Sequence, residues 1–272
     1  MLDALIQHQA NAYRASTALV NEMNKQFTTE SNAFVSSLRD ILDDLTESEK
    51  RALTAGKYNT DRLKDFKQAF DDWYASIAVS LPDLFVASAA AYVAIESGFI
   101  AKIYDGVADI TADKVVDRFK TTPVASGALF NELFKDLAQS ARNQALYAIR
   151  EGINSGLTNQ EIIAELRGKR TKVGDKYIYV GGIVEQTKDK IDANVRTARS
   201  ALANAAYNDT FTALGYEYVK FISTLDGRTT LICSSLSNNV YKMSEPHPTP
   251  PLHFRCRSIL VGVNKDGKLE GK

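Results

Sequence analysis

The first 45 residues contain neither glycine nor proline, and apolar side chains recur along them in steps of three and four. Leu2, Ile6, Tyr13, Val20, Met23, Phe27, Phe34, Ile41 and Leu45 fall near one seam, the spacing of an amphipathic helix. Gln9, Ser16 and Glu30 interrupt that seam. One long helix fits the pattern, as do two helices with a break near Thr28-Thr29. Uninterrupted, the helix would span about 65 Å at 1.5 Å per residue. Such a rod cannot bury its own stripe. It requires partner helices, from this chain or from a neighbouring protein, and a stripe of this length suits the binding of other chains.

Capping and helix-breaking residues divide the chain beyond this point. Thr46-Glu47-Ser48-Glu49 has the spacing of a capping box, and Gly56 closes the short helix it opens. Asn59-Thr60-Asp61 opens an amphipathic helix carrying Leu63, Phe66, Phe70, Trp73 and Ile77. Pro82 suits the first turn of a new helix running through the Ala-rich stretch toward Tyr104. A short helix near 112–119 stops before Thr122-Pro123. The next runs from about Ser126 to Arg150, with Leu129, Leu133, Leu137, Ala141 and Tyr147 on one side. The stretch 77–104 is the longest weakly charged part of the chain, yet it carries Pro82, Asp83, Glu96 and Lys102. A membrane span prefers a near-continuous apolar run, so the expected structure is a buried helix. His8 reads as a surface residue, and Phe66, Phe70, Trp73 and Phe99 as core.

A chain of 272 residues is long for one compact unit, which makes two domains the natural expectation. Lys+Arg and Asp+Glu are 33 each, so contact with nucleic acid must be local. Two cysteines, Cys233 and Cys256, are too few for a disulfide framework. The N-terminus lacks a basic segment followed by an apolar core, so a soluble protein made in the cytoplasm is expected.

The texture changes after residue 150. Leu157-Thr158-Asn159-Gln160-Glu161 holds a second capping box, and residues 171–183 read as a β-hairpin turning at Gly174-Asp175. A helix of about thirty residues, from Val184 to Leu214, ends at Gly215. Strand-like segments come next at 216–224, 240–243 and 258–263, with Thr229 as the cap of a short helix between the first two. The polar tail from Asn264 onward is expected to fray. The fold class expected is mainly α, with long helices in an N-terminal helical region (1–139) and a small α+β C-terminal domain (140–272).

Several residues of that domain form an ordered series: Thr224, Asp226, Arg228 and Thr229, then Cys233 and Leu236, then Pro250, Pro251, His253, Cys256 and Arg257. This series resembles the phage Mu F-like, or phage head-morphogenesis, domain. The pattern there is a Thr-x-Asp-x-Arg-Thr turn, a Cys-x-x-Leu helix and a Pro-Pro-x-His-x-x-Cys-Arg segment. The Ala- and Arg-bearing helix at 195–215 and the segment GINSGLTNQEIIAELRG also look like family elements, so the resemblance covers roughly 140–263. Two positions depart from it. Thr230 and Ser258 stand where many relatives carry further cysteines.

Asp226, before a glycine and near a helix start, suits an Asx turn or cap. Arg228 and Arg257 each suit a fork onto a carboxylate or a phosphate. Two roles fit these residues: an Asp226–Arg257 pair clamping the turn to the last strand, or Arg228, Arg255 and Arg257 on DNA phosphates. Cys233, His253 and Cys256 form a soft-ligand set that His247 or Asp226 could complete. A structural zinc takes four N or S ligands, and the four-sulfur version is excluded by Thr230 and Ser258. The expectation is therefore no metal, with two small buried cysteines and His253 bonded to a backbone group. A Cys–His nucleophilic pair lacks an accompanying oxyanion motif, so no catalytic residue and no cofactor are expected.

The resemblance implies a virion protein present in few copies at the inner head or portal vertex. Its partners would be the portal protein and other head proteins, with local contact to packaged DNA, and its role head morphogenesis together with DNA packaging or ejection. Two alternatives stand beside this. One is a membrane-active ejection protein inserting residues 77–104; the other is an enzyme or toxin domain at 1–139 fused to a Mu F-like module.

Overall fold

A computed structural model describes residues 1–174 and 176–269, with the backbone alone for Ser126 and Lys176. The fold is mainly helical. The described chain forms two compact units, each assembled from separated segments: 1–20, 83–132 and 193–272 in one, 21–82 and 133–192 in the other. The expected division at 139/140 is linear, whereas these units interleave along the chain.

The N-terminal seam forms one helix, α1 (Leu2–Asp44), without a break. Thr28 and Thr29 stay helical by donating their hydroxyls to the carbonyls of Asn24 and Lys25, at 2.6 and 3.1 Å. The buried stripe is not quite the expected one. Val20, Met23, Phe27 and Phe34 lie in it, but Ile6, Tyr13 and Ile41 are only half-buried, while Leu5, Leu38 and Leu42 are fully buried. A strict seven-residue repeat drifts by about 20° per heptad on a straight helix, which swings both ends of the heptad seam off the face. Ser31, rather than Glu30, sits on the stripe, and its hydroxyl accepts the indole N–H of Trp73 at 3.0 Å. The stripe is covered by this chain itself, so it is not free for a neighbouring protein.

In the second unit, α2 (Glu47–Thr54) and α3 (Asp61–Ala75) begin as the caps indicate. Glu49 closes a capping box on Thr46 and also accepts the Thr60 hydroxyl at 2.8 Å, so one carboxylate joins both helix starts. The backbone N–H of Thr46, followed by the Thr46 and Thr60 hydroxyls, holds its pKa down to about 2. Phe34 stacks face to face on Trp73 with 4.5 Å between centroids and meets Phe70 edge-on at 4.9 Å. α7 (Phe130–Asn154) starts after a 3₁₀ turn at Ala125–Gly127 and runs beyond Arg150. Tyr147, expected on its inner side, is 70% exposed. Ala141, Ala145 and Ile149, at successive four-residue steps, carry the buried face instead.

Pro82 does not launch a new helix. The chain continues from α3 through a π turn (Ser76–Ser80) into α4 (Leu81–Ala87). A proline offers no N–H and its ring crowds the carbonyl four residues back; a widened turn is one way a helix absorbs this. The break falls later, at Ser88, before α5 (Ala89–Ile103). Among the described residues, no single helix is long and apolar enough to cross a membrane. Asp61–Ala87 with Ala89–Ile103 passes such a test only as a pair bent at 40°. In the fold, Ala89, Val93, Glu96 and Ile100 are buried.

α8 (Asn159–Arg167) opens on its own capping box at Thr158. The hairpin pairs β1 (Lys169–Val173) with β2 (Lys176–Val180). Gly174 adopts a positive φ at the turn, and Asp175 lies outside the described residues. At the hairpin base, Gly168 has φ +94°, and a Cβ there would lie 2.7 Å from the carbonyl oxygen of Val180; only glycine fits.

α6 (Ala112–Thr121) and α9 (Ile183–Ala213) precede the three-stranded antiparallel sheet of the first unit. Its order is β4 (Val240–Lys242), β3 (Tyr218–Ile222), β5 (Ile259–Val263). Val219 pairs with Gly262 and Phe221 with Leu260. Every residue of β5 is buried. A Cβ on Gly262 would meet the Phe211 ring of α9 at 2.7 Å, and the Gly262 carbonyl accepts the Tyr104 hydroxyl at 2.9 Å. The described part of the tail, 264–269, is more ordered than expected: Asn264 Oδ1 accepts the N–H groups of Asp266 and Lys268, and Leu269 packs on the core, while 270–272 lie outside the described residues.

The burial of Phe34 and the exposure of Tyr147 set up a direct comparison. Phe34→Ala should destabilise the protein by about 3–5 kcal/mol, and Tyr147→Ala by less than about 0.5 kcal/mol. Urea unfolding checks both, and equal costs would contradict this assignment of the buried faces.

Candidate functional site

The segment after β3 is a turn built on Asp226. Its backbone N–H donates to the Thr229 hydroxyl at 2.9 Å, and its Oδ1 accepts the Arg228 N–H at 2.9 Å. The Thr229 hydroxyl in turn donates to the carbonyl of Thr224. Because Thr229 is committed to this turn, the next helix is capped one residue later than expected. Thr230 accepts the N–H of Cys233, and α10 runs Leu231–Leu236.

Arg257, just before β5, reaches back 31 residues to this turn. Its Nη1 and Nη2 donate to the two carboxylate oxygens of Asp226 at 2.7 and 2.6 Å. This is the two-pronged fork that guanidinium and carboxylate planes favour. The Arg257 side chain is 14% exposed and that of Asp226 36%. Arg228 contributes chiefly its backbone N–H; its guanidinium is 3.5 Å away and 73% exposed. The Arg257 hydrogen bonds, then the Arg228 N–H, hold the Asp226 carboxyl far below the usual carboxylate range, and the same pairing pushes Arg257 up.

Of the other motif residues, Cys233 and Cys256 are fully buried, with sulfurs 3.7 Å apart. Leu236 packs on the same core. Pro250 and Pro251 share a cis peptide bond and line a cavity of about 580 Å³ with Phe119, Val124 and His247. His253 places Nδ1 2.9 Å from the carbonyl of Phe254. Arg255 has φ +58°, and its N–H donates to the Thr197 hydroxyl of α9 at 2.9 Å. A cavity of about 360 Å³ lies between Gln9, Tyr13 and Arg14 of α1 and Thr224, Arg228 and Arg257. Among the described residues, Cys233, His253 and Cys256 form a group that could hold a metal, with ligand atoms all within 4.8 Å of one another. Asp226 is occupied by Arg257, and His247 stacks on Tyr241 instead.

A second polar cluster belongs to no sequence motif. Glu96, 1% exposed on α5, accepts the hydroxyl of Tyr207 and lies 2.9 Å from Nε2 of His8. His8 is not a free surface residue; its ring stacks on Phe99 at 3.5 Å. Burial, reinforced by Glu96, pushes the Tyr92 and Tyr207 hydroxyls up, so both remain neutral. Arg199 lies over the Tyr92 ring at 4.2 Å and donates to the Ser88 hydroxyl at 2.7 Å. The only sequence signal is Glu96, the single acid of the Ala-rich stretch 89–103. Burying such charges is costly unless they are paired, and pairing here joins residues about a hundred positions apart.

The clamp carries a testable pH signature. A carboxyl whose folded pKa lies below its ordinary value near 3.8 stabilises the fold fully above that value. The contribution fades as pH falls through the lower folded value. Asp226→Asn should therefore lower the thermal midpoint at pH 7, and its gap from the parent chain should narrow below about pH 4. Arg257→Ala should add little to Asp226→Asn, since both remove one interaction. A pH-independent gap, or additive effects, would count against the clamp as a stabilising pair.

No curated protein and no solved structure matches the chain. A family model does match, over residues 143–261, and its span contains the turn, both cysteines, the proline pair and both partners of the ion pair. That family is one of structural phage head proteins. Residues 143–261, the C-terminal part of this chain, are thus similar to the family described as Phage Mu protein F like protein.

Proposed function

We propose that this chain is a structural minor head protein of a tailed bacteriophage, bound at the portal vertex and acting in head morphogenesis and in DNA packaging or ejection. The observation that carries the reading is the family match over residues 143–261, together with the Asp226–Arg257 fork at the centre of the motif. A clamp of this kind supports a fixed assembly surface, and none of its groups is arranged as a nucleophile with a base. The partners are the portal protein and other head proteins, and the place of action is the virion after synthesis in the host cytoplasm. With the α1 stripe covered by this chain, docking falls to other surfaces. DNA contact, where it occurs, is local: the Arg228 guanidinium is exposed, whereas the fork of Arg257 is already filled by Asp226.

The test is made on particles. Mass spectrometry of purified virions should detect the chain at few copies per head, and cryo-EM of the portal vertex should place it there. Heads assembled without the chain should be aberrant or deficient in packaged DNA. Normal, filled, infectious heads without it would end the reading. The DNA part stands separately: Arg228→Ala should reduce the slope of log affinity against log salt by about 0.9 for one lost phosphate contact.

A further inference from the structure

Beside the clamp, α10 and the segment leading into β5 bring three soft ligands together. The Cys233 and Cys256 sulfurs are 3.7 Å apart. A ring nitrogen of His253 lies within 4.8 Å of both. Zinc–sulfur bonds of about 2.3 Å in a tetrahedral site place neighbouring sulfurs roughly 3.8 Å apart, so the sulfurs already stand at the spacing of a tetrahedron's edge. The third ligand is prepared as well. With Nδ1 of His253 donating to the Phe254 carbonyl at 2.9 Å, the lone pair falls on Nε2, the arrangement usual for metal-bound imidazoles.

We propose that Cys233, His253 and Cys256 bind one zinc ion, with a water molecule as fourth ligand. A void of about 10 Å³ lined by Thr224, Thr229, Cys233, His253 and Ser258, together with Arg228, Arg255 and Arg257, has the size of a single water. Binding releases the two thiol protons to solvent, and the two thiolates balance the dication. Soft sulfur ligands with one imidazole in tetrahedral spacing select zinc over magnesium or calcium. Burial raises the Cys256 thiol. The sequence-based expectation of no metal rests on counting sulfurs; the fold supplies an imidazole in place of one and a water site in place of another. The ion would tie α10 to β5 at a second point beside the Asp226–Arg257 fork, and this holds whatever the chain does in the virion.

The experiment uses the full chain purified without chelator. Elemental analysis should find close to one zinc per chain. Chelator-stripped protein refilled with cobalt(II) should show the intense visible bands of tetrahedral thiolate coordination. His253→Ala should weaken zinc binding by at least about 100-fold, since even loss of an outer-shell partner costs 10–100-fold. His247→Ala should leave binding unchanged. The cobalt spectrum of the parent chain keeps the test decisive should a cysteine variant fail to fold. Two free thiols that take up neither zinc nor cobalt would overturn the proposal. So would a native mass lower by two hydrogens, which identifies a Cys233–Cys256 disulfide.

Discussion

A helix of 43 residues with one continuous buried stripe constrains everything around it. Its apolar side chains each forgo about 1.5–3 kcal/mol if left in water, and helix propensity alone would not hold so long a rod together. The chain meets that demand by returning to α1 with segments far apart in sequence. Phe70 and Trp73 of α3 reach Phe34, and Glu96 of α5 reaches His8. Each compact unit is thus assembled from pieces that the linear chain separates.

The C-terminal region solves a different problem. Its sheet is small, and β5 is buried along its whole length, so nearby polar groups must be satisfied internally. Asn204 of α9 does this for the strand by accepting the N–H of Leu260 at 3.0 Å. The Asp226–Arg257 fork does it for the loops, pinning the turn after β3 to the residue just before β5. Arg257 is half-buried and its fork is filled by Asp226, which braces the turn. Arg228, two residues from Asp226 and largely exposed, is the member of the motif that faces outward.

Local punctuation was highly legible. Both capping boxes sit where Thr46 and Thr158 place them, since a cap depends on residues three apart. Periodicity was legible in kind but not in phase. A heptad seam and a straight helix separate by about 20° per heptad, and over α1 that moved Leu5, Leu38 and Leu42 onto the buried face and Ile6 and Ile41 off it. Pro82 misled for a similar reason. Its chemistry excludes a regular helix interior, yet a π turn accommodates it, and which of these occurs depends on packing around Ile77 and Leu81. In the motif, the ordered residues were visible, and so was the pairing of Asp226 with Arg257. The cap at Thr230 was not, because it depends on Thr229 being consumed elsewhere.

From its residues alone the chain determined a mainly helical protein with a small α+β C-terminal end, the positions of its helix starts, and the resemblance of residues 140–263 to a head-morphogenesis domain. These rest on short-range physics and on ordered motifs, both readable along a line. Only the tertiary structure decided that the α1 stripe is covered from within. The burial of Glu96 beneath His8 and Tyr207, and the gathering of Cys233, His253 and Cys256 within 4.8 Å, were settled at the same level. The reason is that a buried polar or ligand-bearing group acquires its meaning from partners. In this fold those partners lie from three to over a hundred residues away, at distances that hydrophobic packing sets and no spacing rule encodes.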